Sequence, residues 1–240
     1  MLTQLVAGLN HLGYQTTSAQ VEMFEIYRTE LMRWNERTNL TAIIEPAEIE
    51  TRHFLDSLSV LQALGTRAPT GAGLRIVDVG SGAGFPGIPL KLVLPDAHVA
   101  LLEATGKKVE FLRHMIDTLE LRDTEILHGR AEDVAHLPAC RETFDLAVSR
   151  AVAPLATLAE LFLPFVATGG LFVAQKKGDL QSELARARLA LAQLGGAEAR
   201  LIEVSLPQLL DRRYLVCSTK IAPSPVKYPR RSGMPFKSPL

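Results

Sequence analysis

The chain has 240 residues, 26 Lys and Arg against 26 Asp and Glu, and 47% hydrophobic residues, which suits one compact domain, or one with a small extension, around a sizeable core. No apolar run approaches the roughly 18–20 residues of a membrane span, and the opening MLTQLVAGLNHLGYQ has neither a basic leader nor a small-residue cleavage site. Cys140 and Cys217 lie far apart and fit no metal spacing, so the expectation is a cytoplasmic protein without membrane association or metal.

Residues 1–70 read as helical. In SAQVEMFEIYRTELMRWNERTN, Ser18 is placed to cap, and Val21, Phe24, Tyr27, Leu31 and Trp34 recur at helical spacing. PAEIETRHFLDSLSVLQAL carries a second helix, with Pro46 near its first turn and Ile49, His53, Leu55, Leu58 and Leu61 along it. APTGAG, at 68–73, is a linker of turn residues.

From 74 to about 220 the pattern alternates. LRIVDV, HVALLE, EILHG, FDLAVS and LFVAQK read as strands, and GIPLKLVL, TGKKVEFLRHMIDTLE, 154–166 and 179–194 as the helices between them. Strands separated by helices predict a parallel doubly wound sheet. RLIEVSL and RYLVCSTK follow with no room for a crossover helix, so the last strand is predicted to be antiparallel. A mostly parallel seven-stranded sheet ending this way is the Rossmann-like α/β arrangement of class I methyltransferases. The predicted division is a helical extension over 1–70, a methyltransferase domain over 71–221 and a basic, proline-rich tail over 222–240.

The first strand runs into IVDVGSGAGFPGIP, in which Gly80, Gly82 and Gly84 alternate. Glycines between a strand and a helix let the backbone approach a ligand closely. A pyrophosphate would want the bare helix N-terminus, but Pro86 removes a donor there, Phe85 adds bulk and Asp78 precedes the first glycine. S-adenosylmethionine carries no phosphate and is hurt less by these features. Glu103 ends the second strand, 23 residues after Gly80, where a carboxylate accepts both ribose hydroxyls of either cofactor. Ala131 and Glu132 are placed to flank an adenine, and Arg150 stands at the carboxyl end of a central strand.

DVGSGAGFPGIPL, NLTAI at 39–43, RHFLDSL at 52–58, SRAVAPL at 149–155 and YPRRSGMPFKSPL at 228–240 together resemble the bacterial ribosomal RNA small-subunit methyltransferase G family, also called glucose-inhibited division protein B. The resemblance implies methyl transfer from S-adenosyl-L-methionine to N7 of one guanine in 16S ribosomal RNA, free or in a small-subunit assembly intermediate. It implies cofactor contacts at Gly80, Phe85, Glu103, Ala104, Thr105, Ala131, Glu132 and Arg150, to which the glycine pattern adds Gly82 and Gly84. A monomer is expected. An NAD-dependent oxidoreductase would need a substrate domain for which few residues remain after the sheet, and a small-molecule methyltransferase would have no use for a basic tail.

Guanine N7 has an in-plane lone pair and no proton to lose, so no general base is required and positioning carries catalysis. Arg150, Asn39 and His53 are the candidates for that positioning. His53 and Asp56, three apart, share a helical face, either to hold the guanine or complete the cofactor pocket, or with Asp56 merely fixing the ring. Asn39 either completes the site or caps a turn. Lys176 and Lys177 end a core strand and are candidate phosphate contacts. After Asp211 no acidic residue follows, while Arg212, Arg213, Lys220, Lys227, Arg230, Arg231 and Lys237 are basic. Arg230, Arg231 and Lys237 are therefore candidate RNA contacts, unless the proline-rich tail is an extended strap on the protein anchored by Tyr228 and Phe236.

Overall fold

A computed structural model describes residues 2–65, 71–150, 153–209 and 211–240. Part of the expected 68–73 linker, and Ala151 and Val152 of SRAVAPL, lie outside them.

Seven strands form one sheet in the order β3-β2-β1-β4-β5-β7-β6. They are β1 (Arg75–Val79), β2 (His98–Glu103), β3 (Thr124–His128), β4 (Phe144–Ser149), β5 (Val166–Lys177), β6 (Arg200–Glu203) and β7 (Arg213–Thr219). β1 to β5 run parallel to one another, and β7 runs antiparallel to both β5 and β6. The expected closing hairpin is present.

The strand sequences bury both faces, as a covered parallel sheet requires. Ile76, Val99, Leu101, Leu146, Val148, Val173 and Leu215 face a core shared with Leu5, Phe24, Tyr27, Phe54 and Ile88. Val77, Val79, Ala100, Leu102, Ala147, Phe172 and Val216 face the opposite core with Leu158, Leu191 and Tyr228. Period-2 alternation along each strand thus sorts the helices into two layers. The first layer holds α1 (Thr3–His11), α2 (Ser18–Thr38), α3 (residues 46–58), α4 (Leu61–Leu64), α5 (Gly87–Val93) and α6 (Gly106–Thr118). The second holds α7 (Ala131–Val134), α8 (Leu155–Phe162) and α9 (Gln181–Gln193).

The helix starting in SAQVEM is capped by Thr17, not Ser18. Thr17 Oγ1 accepts from Gln20 N–H at 3.2 Å while Gln20 Oε1 accepts from Thr17 N–H at 3.0 Å, a reciprocal pair that Ser18 cannot make from inside the helix. α3 departs from a regular α-helix: it opens as Pro46–Glu48, is π-helical over Ile49–Leu55 and closes as Asp56–Leu58. Such widened turns frequently accompany functional sites. The helix expected over 154–166 ends at Phe162, and after a 3-10 turn at Leu163–Phe165 the strand begins at Val166, running through Gly169 and Gly170.

The tail is not wholly extended, because Met234–Lys237 forms a short helix, α10, with Pro235 in its first turn, where a missing N–H costs nothing. Tyr228 is 4% exposed and Gln193 Nε2 donates to its hydroxyl. Phe236, the other expected anchor, is 56% exposed.

Candidate active site

The carboxyl ends of the parallel strands converge on the glycine loop. Gly80 and Ser81 donate their N–H groups to Leu102 O at 2.9 and 3.0 Å. Gly82 N–H donates to Glu103 Oε2 at 2.9 Å, and Glu103 Oε1 accepts from Thr105 N–H at 2.8 Å. One carboxylate therefore ties the loop to the end of β2. Gly82 has φ +61°, and a Cβ built on it meets nothing nearer than Gly80 O at 3.9 Å. The backbone favours glycine, and the space above it is open.

Asp78 lies fully buried beneath the loop, and its Oδ2 accepts from Gly87 N–H, at the first residue of α5, at 2.9 Å. The helix N-terminus that a pyrophosphate would need is thus taken by Asp78, with Pro86 at the cap position. Burial pushes the Asp78 carboxyl up to about 7, opposed by hydrogen bonds from Gly87 and Ser81 and by the Arg150 charge. Asp78 Oδ1 is buried without a partner.

Phe85 forms one wall. Its ring stacks on His53 at 4.5 Å and 15° and on Tyr27 at 5.4 Å, and the Arg150 guanidinium lies 4.8 Å over it. Arg150 Nη2 donates to His53 Nδ1 at 3.0 Å and Nη1 to Arg52 O at 2.9 Å. A guanidinium has no acceptor, so the His53 proton resides on Nε2, which donates to Thr41 Oγ1 at 2.7 Å. Burial first, and then the charges of Arg150 and Arg52, drive His53 down to about 3. The ring is neutral and both its nitrogens are engaged, which suits positioning and not proton transfer.

Two cavities meet at this pair. The smaller, 160 Å³, is lined by Gly80, Gly82, Phe85, Thr41, His53 and Arg150. The larger, 450 Å³, shares His53 and Arg150 as a common wall and continues to Asp56, Gln175, Lys176 and Arg213.

The structure brings most of the sequence-predicted residues to this edge and gives others different contacts. Ala104 and Thr105 are exposed beside Glu103. Gly84 is buried, its absent Cβ leaving room for Ile88 and the Tyr27 hydroxyl. Ala131 is 9% exposed, and Glu132, expected to flank an adenine, accepts from Gly233 N–H through Oε1 at 2.8 Å. Asn39 is an exposed left-handed C-cap of α2 with φ 48°, so the turn-capping alternative describes its backbone, and Thr41 is the neighbour that reaches His53.

The basic candidates divide. Lys176 donates to Ala153 O and pairs with Glu183 at 2.6 Å, its side chain 11% exposed. Arg230 grips the fully buried Glu160 through Nε and Nη2 at 2.9 and 2.6 Å. Lys220, counted among the tail charges, is 0% exposed and bonds Leu163 O and Ser224 Oγ at 2.6 Å each. These three serve the fold, whereas Arg231 and Lys237 are exposed and Lys177, half exposed, pairs with Asp211 at 3.3 Å.

Three site residues escaped the sequence reading. Tyr27, read only as an apolar helical position, donates its hydroxyl to Ala83 O and so holds the glycine loop. Its polar tip was the available signal. Arg213 was counted only as a tail charge, and Gln175 lay inside an apolar strand with nothing to single it out. Both line the larger cavity.

The family model for rRNA small subunit methyltransferase G matches residues 20–210. The chain belongs to this family. A ribosomal RNA small subunit methyltransferase G of Dehalococcoides mccartyi strain CBDB1 is 47% identical over 239 residues, covering 100% of both chains. One of Roseiflexus castenholzii is 45% identical over 228 residues, covering 95% of each. Among solved structures, Aeropyrum pernix fibrillarin in complex with natively bound S-adenosyl-L-methionine matches with a TM-score of 0.52 and 16% identity, over 67% of this chain and 73% of that one. M. jannaschii TYW2 in complex with AdoMet matches with a TM-score of 0.51 and 14% identity, over 68% of this chain and 75% of that one. These two likenesses speak for the fold. The family makes the chain an S-adenosylmethionine-dependent methyltransferase of ribosomal RNA. No helix among the described residues is long and apolar enough to cross a membrane.

Proposed function

We propose that the protein transfers the methyl group of S-adenosylmethionine to N7 of one guanine in 16S ribosomal RNA, acting as a monomer in the cytoplasm and without a metal. The observation that carries this reading is the pair of cavities sharing His53 and Arg150, one against the glycine loop and one large enough for a base. The residues around the smaller cavity fit the cofactor: open space above Gly82, the Glu103 carboxylate beside it, and exposed Ala104 and Thr105 at the rim. Bound there, S-adenosylmethionine supplies an electrophilic sulfonium methyl.

The chain's own part is to hold and align. Gly80 and Gly82 keep the backbone low, Tyr27 and Glu103 fix the loop, and Phe85 closes the wall with His53 and Arg150 stacked on it. The guanine N7 lone pair forms the new N–C bond as the S–C bond breaks and sulfur keeps the electron pair. No proton moves, which accords with a histidine whose two nitrogens are already occupied. Holding the reactants in line supplies much of the barrier reduction. The target base must be exposed and unstacked, so a loop or an assembly intermediate is the expected substrate form.

Labelled transfer tests the reading. With tritiated-methyl S-adenosylmethionine and unmodified 16S rRNA, naked or as small subunits, the protein should place about one methyl per RNA. Incorporation into transfer RNA and none into 16S rRNA would contradict it.

A further inference from the structure

Two residues that line the larger cavity each carry a polar atom that the fold leaves unsatisfied. Gln175 is 9% exposed, and its Oε1 is buried with no partner. Arg213 is 6% exposed, and its Nε is likewise buried with no partner. Buried polar atoms without partners are rare and costly and call for an explanation. Both residues line the same 450 Å³ space as Asp56.

Asp56 links the two. Arg213 Nη1 pairs with Asp56 Oδ1 at 2.6 Å, and Gln175 Nε2 donates to Asp56 O and, at 3.0 Å, to Ser59 Oγ. Those donations fix the amide so that Oε1 is the unsatisfied end. Asp56 Oδ2 has the Arg150 guanidinium at 3.6 Å, an ion-pair distance longer than a hydrogen bond. The wall therefore reads, in order, a donor at Arg213, a carboxylate acceptor at Asp56 and an amide acceptor at Gln175. β5 and β7 set this order: Lys177 pairs Arg213 and Gln175 pairs Leu215 in the antiparallel register, so Gln175 and Arg213 stand on one face of the sheet.

The Watson–Crick edge of guanine presents the complement in the same order: the O6 acceptor, the N1–H donor and the N2 amino donor. Adenine presents a donor, then an acceptor, then nothing, and meets this wall with like groups opposed. We propose that Arg213, Asp56 and Gln175 form the guanine-reading wall of the enzyme, taking O6, N1–H and the N2 amino group of the flipped-out target base. This deepens the proposed function and rests on it. It leaves N7, which the wall does not use, for the methyl donor beyond the shared His53–Arg150 wall. Rejection of adenine follows from the cost of leaving buried polar groups opposed. The Asp56 carboxylate also places a negative charge beside the base that becomes cationic on methylation.

Inosine, which lacks only the N2 amino group, tests the assignment. In 16S rRNA carrying inosine at the methylated position, the wild-type enzyme should show kcat/KM lowered about tenfold, the worth of one hydrogen bond. Gln175→Leu should be lowered by a similar factor on guanine but should methylate inosine and guanine at the same rate, with S-adenosylmethionine affinity unchanged. Asp56→Asn should lose about a hundredfold or more on either base; should it fail to fold around the buried Arg213, the Gln175 arm alone decides. Equal wild-type rates on guanine and inosine, or an inosine loss that persists undiminished in Gln175→Leu, would overturn the proposal. If the wild-type enzyme methylates no guanine N7 at all, the functional reading fails by itself. The wall is then read by calorimetric binding of GMP against IMP to cofactor-saturated protein: tighter GMP binding abolished by Gln175→Leu supports it, and equal binding overturns it.

Discussion

Gly233 N–H donates to Glu132 Oε1 at 2.8 Å, joining residues 101 positions apart. Three residues earlier Arg230 holds the fully buried Glu160, and Pro229 O accepts from His136 at 2.8 Å. The C-terminal segment is therefore packed along α7 and α8 as part of the folded domain. Truncation after about residue 222 should lower the melting temperature markedly. Arg230→Ala alone should cost about 3–5 kcal/mol, because it strands a buried carboxylate. Lys237→Ala, at an exposed position, should stay within about 0.5 kcal/mol. Thermal unfolding of the three variants checks this. Equal stability of Arg230→Ala and wild type would remove the clamp.

A side chain at Gly82 would project into the open space above the loop. Gly82→Val should abolish S-adenosylmethionine binding while the protein remains folded. Beyond occupying ligand space, it places a β-branched residue at φ +61°. Calorimetry alongside circular dichroism tests it, and undiminished affinity in a folded variant would move the cofactor elsewhere.

Glu103 holds two backbone N–H groups, at Gly82 and Thr105. Glu103→Ala frees the loop as well as deleting the proposed ribose acceptors, so Glu103→Gln is the cleaner change. It keeps one acceptor and the shape but removes the charge. Hydrogen bonds to charged groups contribute about 1.5–3 kcal/mol each, so cofactor affinity should fall by at least tenfold. A loss below threefold would count against the ribose role.

Asp78 and His53 titrate in opposite senses over nearly one pH window. Asp78 is raised from 3.8 to about 7, so the folded state retains a proton that the unfolded chain releases, and stability falls as pH rises through that interval. His53 is lowered from 6.5 to about 3, so the unfolded chain takes up a proton first, and stability falls as pH drops from 6.5 toward 3. In the wild type the two slopes oppose. Asp78→Asn removes one of them, and its denaturation midpoint should decline on acidification below pH 6.5 more steeply than that of the wild type. Parallel profiles would show that Asp78 ionises normally.

The sheet was legible because each strand states its period and each connection its length: RLIEVSL and RYLVCSTK leave no room for a crossover, and β7 is antiparallel. The glycine loop and Glu103 were legible because a ligand-approaching turn and a carboxylate one strand on are local signals. Charge was less legible. Arg213, Lys220 and Arg230 count as a basic tail in sequence but pair with Asp56, Glu142 and Glu160, partners 70 or more residues away that only the fold brings near. The π-helical turn over Ile49–Leu55 leaves no mark in helical periodicity, and Gln175 becomes a site residue only when β7 and α3 close around it.

The central claim is that the methyl acceptor is guanine N7, and nucleoside analysis of the reacted RNA tests it most directly. After labelled transfer to unmodified 16S rRNA, complete digestion and chromatography should place the label in 7-methylguanosine, at one position. Label in 1-methylguanosine, N2-methylguanosine or 5-methylcytidine would contradict the account, since those acceptors must lose a proton whereas N7 has none to lose.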